Sequence, residues 1–247
     1  MFPRGEPCEG KLAQREGLRL ASAELRDSLD DVGIQASAAL VSDDTPESLV
    51  GSFATEDTRS HAEVLAPGIE ALLAEAGLSG ADIDAVVTGV GPGPFTGLRS
   101  GIVTARTLAF VWGKPLYGLM SLDAIALEVA ESTDAAPEFI VATDARRKEV
   151  YWARYSLSSG QLPHLLDGPH VGFAADLPDL PVYGAGAGLY ADVVKAIPEF
   201  SGRQPEALSL GQFALARLAA GEHLLDSTPL YLRESDAQVP GPRKRAL

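Results

Sequence analysis

Residues 89–110, GVGPGPFTGLRSGIVTARTLAF, set Gly91, Gly93 and Gly97, two prolines and Thr96 where an apolar run ends and a helical pattern begins. Gly91, Gly93 and Gly97 admit backbone angles and close approaches that a Cβ would block, while Pro92 and Pro94 stiffen the path between them. Together with Thr96 they would present backbone amides at the amino end of a helix, where the dipole favours an anion. The chemistry this spacing suits is phosphate binding. Two phosphate signatures fail, however: no Gly-Lys-Ser/Thr follows the loop, and GxGxxxG departs from the dinucleotide fingerprint. A tight strand-to-helix turn that needs its glycines only for packing explains the same letters, so both readings stand.

Other reactive groups are sparse. A nucleotide-dependent phosphotransferase needs a carboxylate near its first hairpin and phosphate turns in two lobes, for which Asp27 with Ser28, Asp144 and the Gly184–Gly188 loop are the available pieces. Ser100 and Thr104 lie beside Arg99, but no histidine is placed by sequence to activate them. Cys8 is the single cysteine, the four histidines are scattered, and no His-x-x-x-His occurs, so neither a catalytic residue nor a metal or cofactor is expected.

The elements that would position the turn are legible around it. Ala85-Val86-Val87-Thr88 is short and β-branched, the pattern of a buried parallel strand. Upstream, the apolar runs 36–41 and 49–54 flank a turn-rich spacer and predict a β-hairpin. Val64, Leu65, Ile69, Leu72 and Leu73 recur at helical spacing from His61 to Ala76, with Gly77 as a stop. Downstream, residues 114–117 predict a strand, and Ser121 is expected to cap a helix carrying Leu122, Ile125, Ala126 and Val129 on one face. A second unit repeats the pattern: strand 139–142, turn 144–148, returning run 150–153, then Val182-Tyr183 into a glycine turn, and a late helix over 208–220. Hairpins alternating with helices in both halves predict a mixed α/β sheet built twice.

Along the helix after Phe95, Gly97, Gly101, Ala105 and Ala109 fall every fourth residue and form a stripe of small side chains beside Leu98 and Ile102. If Leu98 and Ile102 meet the sheet, the stripe is left for the 61–76 helix or another subunit; packing wholly within the chain is the other reading. Arg99 and Arg106 share a face, either anchoring carboxylates at that junction or standing in solvent.

GPGPFTGLRSG resembles the GPGSFTGLR signature of the TsaB (YeaZ) family of tRNA threonylcarbamoyladenosine synthesis. Arg59-Ser60-His61-Ala62-Glu63, Asp144-Ala145-Arg146-Arg147 with Glu149-Val150-Tyr151, and Pro229-Leu230-Tyr231-Leu232-Arg233 agree in order, covering about residues 36–236. The resemblance implies the two-lobed α/β fold shared by actin, sugar kinases and Hsp70, divided here into residues 19–115 and 116–236. It also implies a non-catalytic subunit that pairs with a TsaD-type enzyme through its first two helices and forms a homodimer when alone. On this sequence those helices carry His61, Leu65, Ile69 and Leu72, then Gly97, Arg99, Gly101, Ala105 and Arg106. Gly101→Leu is accordingly expected to spare the fold and abolish pairing. The resemblance further implies that a TsaE-type ATPase joins the assembly and that another enzyme makes the threonylcarbamoyl-adenylate. The match weakens at the start. Residues 20–26 lack the unbroken apolar strand expected before Asp27-Ser28, and residues 1–18 match no family segment and are expected to be disordered. A divergent amino terminus and a displaced start or frameshift account equally for this.

Composition bounds the partners. The 247 residues are 46% hydrophobic, enough for one large or two small cores, and the formal net charge is −14 from 20 basic and 34 acidic residues. So acidic a chain is repelled by a phosphate backbone. Arg146-Arg147-Lys148 reads as a hairpin turn and Arg243-Lys244-Arg245 as part of a flexible basic tail over 237–247; either would touch RNA only beside a more basic partner, so tRNA contact is expected only through the complex. No run is long enough to span a membrane and no signal-peptide core follows Met1, which makes the cytoplasm the expected location. The expected function is support of threonylcarbamoyl transfer to adenosine 37 of tRNA. An ATP-dependent phosphotransferase and a self-associating module unrelated to tRNA are the rivals.

Overall fold

A computed structural model describes residues 19–27, 34–44, 49–55, 61–158 and 161–233. Among these, two five-stranded mixed sheets follow one another along the chain. The first is built from β1 (Arg19–Asp27), β2 (Ile34–Ser42), β3 (Leu49–Ala54), β4 (Ala85–Gly89) and β5 (Leu116–Leu119), in the order β3-β2-β1-β4-β5. The second uses β6 (Glu138–Asp144), β7 (Glu149–Ser156), β8 (His164–Phe173), β9 (Pro181–Tyr183) and β10 (Lys195–Ala196), in the order β10-β9-β6-β7-β8. In each sheet an antiparallel meander (β1-β2-β3, β6-β7-β8) is extended by parallel strands beside its first strand. This duplication is the two-lobed arrangement of the actin, sugar-kinase and Hsp70 fold.

Helices α1 (His61–Glu75) and α2 (Phe95–Trp112) cover one face of the first sheet. Leu65, Ile69, Leu72 and Leu73 of α1 bury against Ala21, Ala23, Ala36, Ala38 and Leu40, and Ala105 and Ala109 of α2 against Val86. On the other face lies α5 (Ala207–Ala219), which also packs on α3 (Ser121–Glu131). The far side of α3 buries Leu122, Ile125, Ala126 and Val129 against Phe139, Val141, Ala153 and Tyr155 of the second sheet. The outer face of that sheet is closed by α4 (Ala185–Leu189) through Ala187 against Ile140, Ala142 and Val182.

Strand β1 forms although its sequence, RLASAELRD, has no unbroken apolar run, which resolves the doubt over the first strand. It is central and covered by helices on both faces, so small side chains are what it can hold. Leu20 belongs to the α5 layer and Ala21 and Ala23 to the α1 layer. Buried Ser22 donates its hydroxyl to the Ala207 carbonyl at 2.6 Å, tying the strand to the first residue of α5. A Cβ on Gly211 would lie 2.8 Å from that Ser22 Oγ and 2.9 Å from Val41 Cγ2, which shows how closely α5 sits on the sheet. Asp27 ends the strand, with its side chain and Ser28 outside the described residues. Three further details differ from expectation. β5 pairs in the first sheet, one strand beyond the boundary at 115, and α5 returns to that sheet from late in the chain. Ser121 is the first residue of α3, and the cap position is taken by Met120. The expectations for residues 1–18 and 237–247 lie outside the described residues.

Candidate functional site

Strand β4 feeds the glycine turn and then α2, as its pattern predicts. Gly91 has φ +95°, so the backbone angle demands glycine, and a Cβ there would crowd Leu98 Cδ2 at 3.0 Å. At Gly93 nothing lies within 4 Å of an added Cβ. Pro94 caps α2 from extended backbone, Thr96 is exposed in its first turn, and Gly97 is buried one residue on. At the other end Gly113, in left-handed conformation, terminates α2.

The small-residue stripe turns inward. Gly97, Gly101, Ala105 and Ala109 are buried together with Leu98 and Ile102, on a helix that packs on β4, β1 and α1, with Ala105 and Ala109 against Val86. In α1, Leu65, Ile69 and Leu72 likewise belong to the core under the helix, and His61 begins the helix with its side chain outside the described residues. Leu65, Ile69, Leu72, Gly97, Gly101 and Ala105 are buried within the single chain, so their part in pairing stands as an expectation, and Gly101→Leu would also disturb the packing of α2.

What α2 shows to solvent is a different face: Thr96, Arg99, Val103, Arg106, Thr107 and Phe110, which fall within a stripe of about 100° at 100° per residue, with Val111 on its flank. Val103, Phe110 and Val111 are 59%, 78% and 69% exposed. Apolar period alone could have found this face, but the small-residue stripe drew attention to the opposite one.

Among the described residues, the hydrogen-bond partners of Arg99 and Arg106 lie within the chain and are not carboxylates, while the Arg106 charge also acts on the Asp226 carboxyl. The Arg99 Nε–H donates to the Tyr231 hydroxyl at 2.8 Å, and its guanidinium lies over the rings of Phe95 and Tyr231, which stack at 4.4 Å. Arg106 donates to the Ser227 hydroxyl at 3.0 Å and carbonyl at 2.8 Å. Residues 227–231 thus run antiparallel along one flank of α2. Leu230 packs on Val90, Leu98 and Ile102, and its amide donates to the Val90 carbonyl at 2.7 Å. Two residues on from Tyr231, Arg233 pairs with Glu149 of the second lobe's hairpin. This strap links the exposed helix to β7, a role for the Pro-Leu-Tyr-Leu-Arg segment that pattern alone did not reveal.

In the second lobe Asp144 ends β6 and accepts the Arg146 amide at 2.9 Å, with the Arg146 guanidinium 3.9 Å away. Across from it, Gly184 has φ +100°, and a Cβ on Gly186 would stand 2.9 Å from backbone atoms of Ala142 and Thr143, so the glycine loop is closed down on its own sheet. Between the lobes, Asp123 of α3 accepts the Tyr155 hydroxyl of β7 at 2.8 Å, both groups being buried. Burial pushes the Asp123 carboxyl up to about 6, against the lowering effect of that hydrogen bond and the Arg217 charge, and drives the Tyr155 hydroxyl well above its ordinary value. Among the described residues no group of three or more His, Cys, Asp or Glu could hold a metal, and no helix is long and apolar enough to cross a membrane.

Residues 41–178, more than half of the chain, match the family model described as TsaD, tRNA N6-adenosine threonylcarbamoyltransferase. An uncharacterized protein of Mycobacterium tuberculosis is 41% identical over 191 residues, covering 77% of this chain and 83% of that one. The tRNA threonylcarbamoyladenosine biosynthesis protein TsaB of Escherichia coli is 37% identical over 106 residues, 43% of this chain and 46% of that one. The solved structure of YeaZ from Pseudomonas aeruginosa superposes with a TM-score of 0.69 at 26% identity, over 87% of this chain and all of that one. With a match to YeaZ over 87% of this chain and the signature turn in place before α2, the chain belongs to the TsaB (YeaZ) family, non-catalytic and distinct from the TsaD catalytic subunit.

Proposed function

We propose that this chain is the scaffold subunit that pairs with a TsaD-type enzyme and thereby supports threonylcarbamoyl transfer to adenosine 37 of tRNA. A TsaE-type ATPase joins the assembly, and RNA is engaged through the complex. The observation that carries the pairing is the exposed face of α2: Val103, Phe110 and Val111 stand in solvent on a helix whose other face is fully committed to the core. Three large apolar side chains on one helical surface, rimmed by Thr107 and Arg106, have the composition of a helix-to-helix contact. The strap runs along one flank of α2 through Arg99 and Arg106 and leaves the side chains of Val103, Phe110 and Val111 open. The same face serves a homodimer in the absence of the enzyme, so the two associations compete.

Light scattering after size-exclusion chromatography, on the chain alone and mixed with the TsaD-type protein of the same organism, tests this. A homodimer that gives way to a heterodimer supports the reading. Two species that elute unchanged, with both shown to be folded, defeat it.

A further inference from the structure

Among the described residues, those other than glycine with φ in the left-handed region are Arg146 (62°), Arg147 (57°) and Lys148 (66°), in succession at the tip joining β6 to β7. That region is sterically costly for a residue with a Cβ and is normally left to Gly, Asn or Asp. Closing a hairpin does not need three long cations there, yet all three side chains are exposed. The surroundings hold the turn in place. The Arg146 amide donates to Asp144 Oδ1 at 2.9 Å, the Glu149 amide to the Arg146 carbonyl at 3.0 Å, and the Ala145 amide to the Glu149 carbonyl at 2.9 Å. Both flanking carboxylates face arginines, Asp144 that of Arg146 and Glu149 that of Arg233. A fixed cationic tip therefore projects from a chain whose net charge is −14. An observed backbone outlier maintained by its surroundings is a pointer to function.

We propose that Arg147 and Lys148, at the tip of the β6–β7 hairpin, contact the phosphate backbone of the RNA in the assembled complex. This rests on the pairing proposed above. Cations at fixed positions orient a nucleic acid without reading its sequence, a task open to a subunit with no catalytic groups. The acidic remainder of the chain keeps the contact too weak to hold RNA alone, so the partner must supply the rest of the positive field.

The test compares the wild-type chain with an Arg147→Asn, Lys148→Gly double variant, each assembled with the TsaD-type protein and titrated with tRNA over a range of salt concentrations. Asn and Gly suit the left-handed backbone, so the variant should melt no earlier than wild type and assemble equally by light scattering. Its tRNA affinity should fall several-fold, and the slope of log affinity against log salt should shrink by about 0.9 for each lost contact, about two in all. A charge-only variant, Arg147→Gln with Lys148→Gln, should show the same loss. Unchanged affinity and slope in assembled variant complexes overturn the proposal while leaving the pairing intact. Failure of the wild-type chain to assemble overturns the pairing and the proposal with it.

Discussion

Replacing Asp123 by Asn removes a carboxylate from the buried junction of the two lobes without changing its shape. In the folded chain Asp123 titrates at about 6, against about 3.9 for an unfolded aspartate. The folded pKa is raised, so between about pH 4 and 6 the native state keeps a proton that the unfolded state has lost. Stability from this group is therefore intact below pH 4, falls as pH rises, and carries its full deficit above about pH 6. A difference of about two pH units corresponds to roughly 3 kcal/mol. The amide introduced by Asp123→Asn has no charge to desolvate, and its carbonyl oxygen can still accept the Tyr155 hydroxyl that Asp123 accepts at 2.8 Å. Urea denaturation of both proteins from pH 3.5 to 7.5 measures the effect. Subtracting one profile from the other cancels the remaining titrating groups. The variant should gain about 3 kcal/mol on wild type across that interval, most of it between pH 4 and 6. Parallel profiles would show that Asp123 is ionised without cost and would refute the reasoning.

Three other substitutions read the packing. Gly101→Leu should lower stability by roughly 1–3 kcal/mol or more in thermal melts, because Gly101 is buried; a folded, equally stable variant would contradict that burial. Leu230→Ala should cost about 1–2 kcal/mol and expose residues 227–233 to proteolysis before the rest of the chain, since half-buried Leu230 is the strap's apolar anchor on Val90, Leu98 and Ile102. Gly186→Ala should destabilise by roughly 1–3 kcal/mol in chemical denaturation, its Cβ having to displace backbone of Ala142 and Thr143 now 2.9 Å away.

The local elements were legible in the sequence wherever apolar period and turn chemistry agreed. The hairpin of β2 and β3, helix α1 with its stop at Gly77, the run from β4 through the glycine turn to α2, and the β6–β7 hairpin all form near the expected residues. Strand β1 was obscured because a strand buried between helices on both faces is built from Ala and Ser, which carry little hydrophobic signal. Strand β8 was missed for the opposite reason: as an edge strand it leaves His164, Leu165, Leu166 and Asp167 exposed in succession, so no alternation marks it. The site was harder still. A stripe of glycine and alanine says that something approaches closely, and only the fold shows that Ala105 and Ala109 of the stripe meet Val86 of β4. The partners of Arg99 and Arg106 lie 132 and 121 residues away, beyond any local pattern, so pairing with Tyr231 and Ser227 had no signal in the spacing.

The central claim is that the exposed face of α2 recruits a TsaD-type enzyme, and Phe110→Asp tests it most directly. Phe110 is 78% exposed, so the substitution costs the isolated fold little, while placing an unpaired charge in the proposed contact. Calorimetric titration of the TsaD-type protein with wild-type and variant chains should show affinity weakened by at least about thirtyfold, or about 2 kcal/mol, with the variant's melting temperature unchanged. Equal affinity for a folded Phe110→Asp chain would contradict the account.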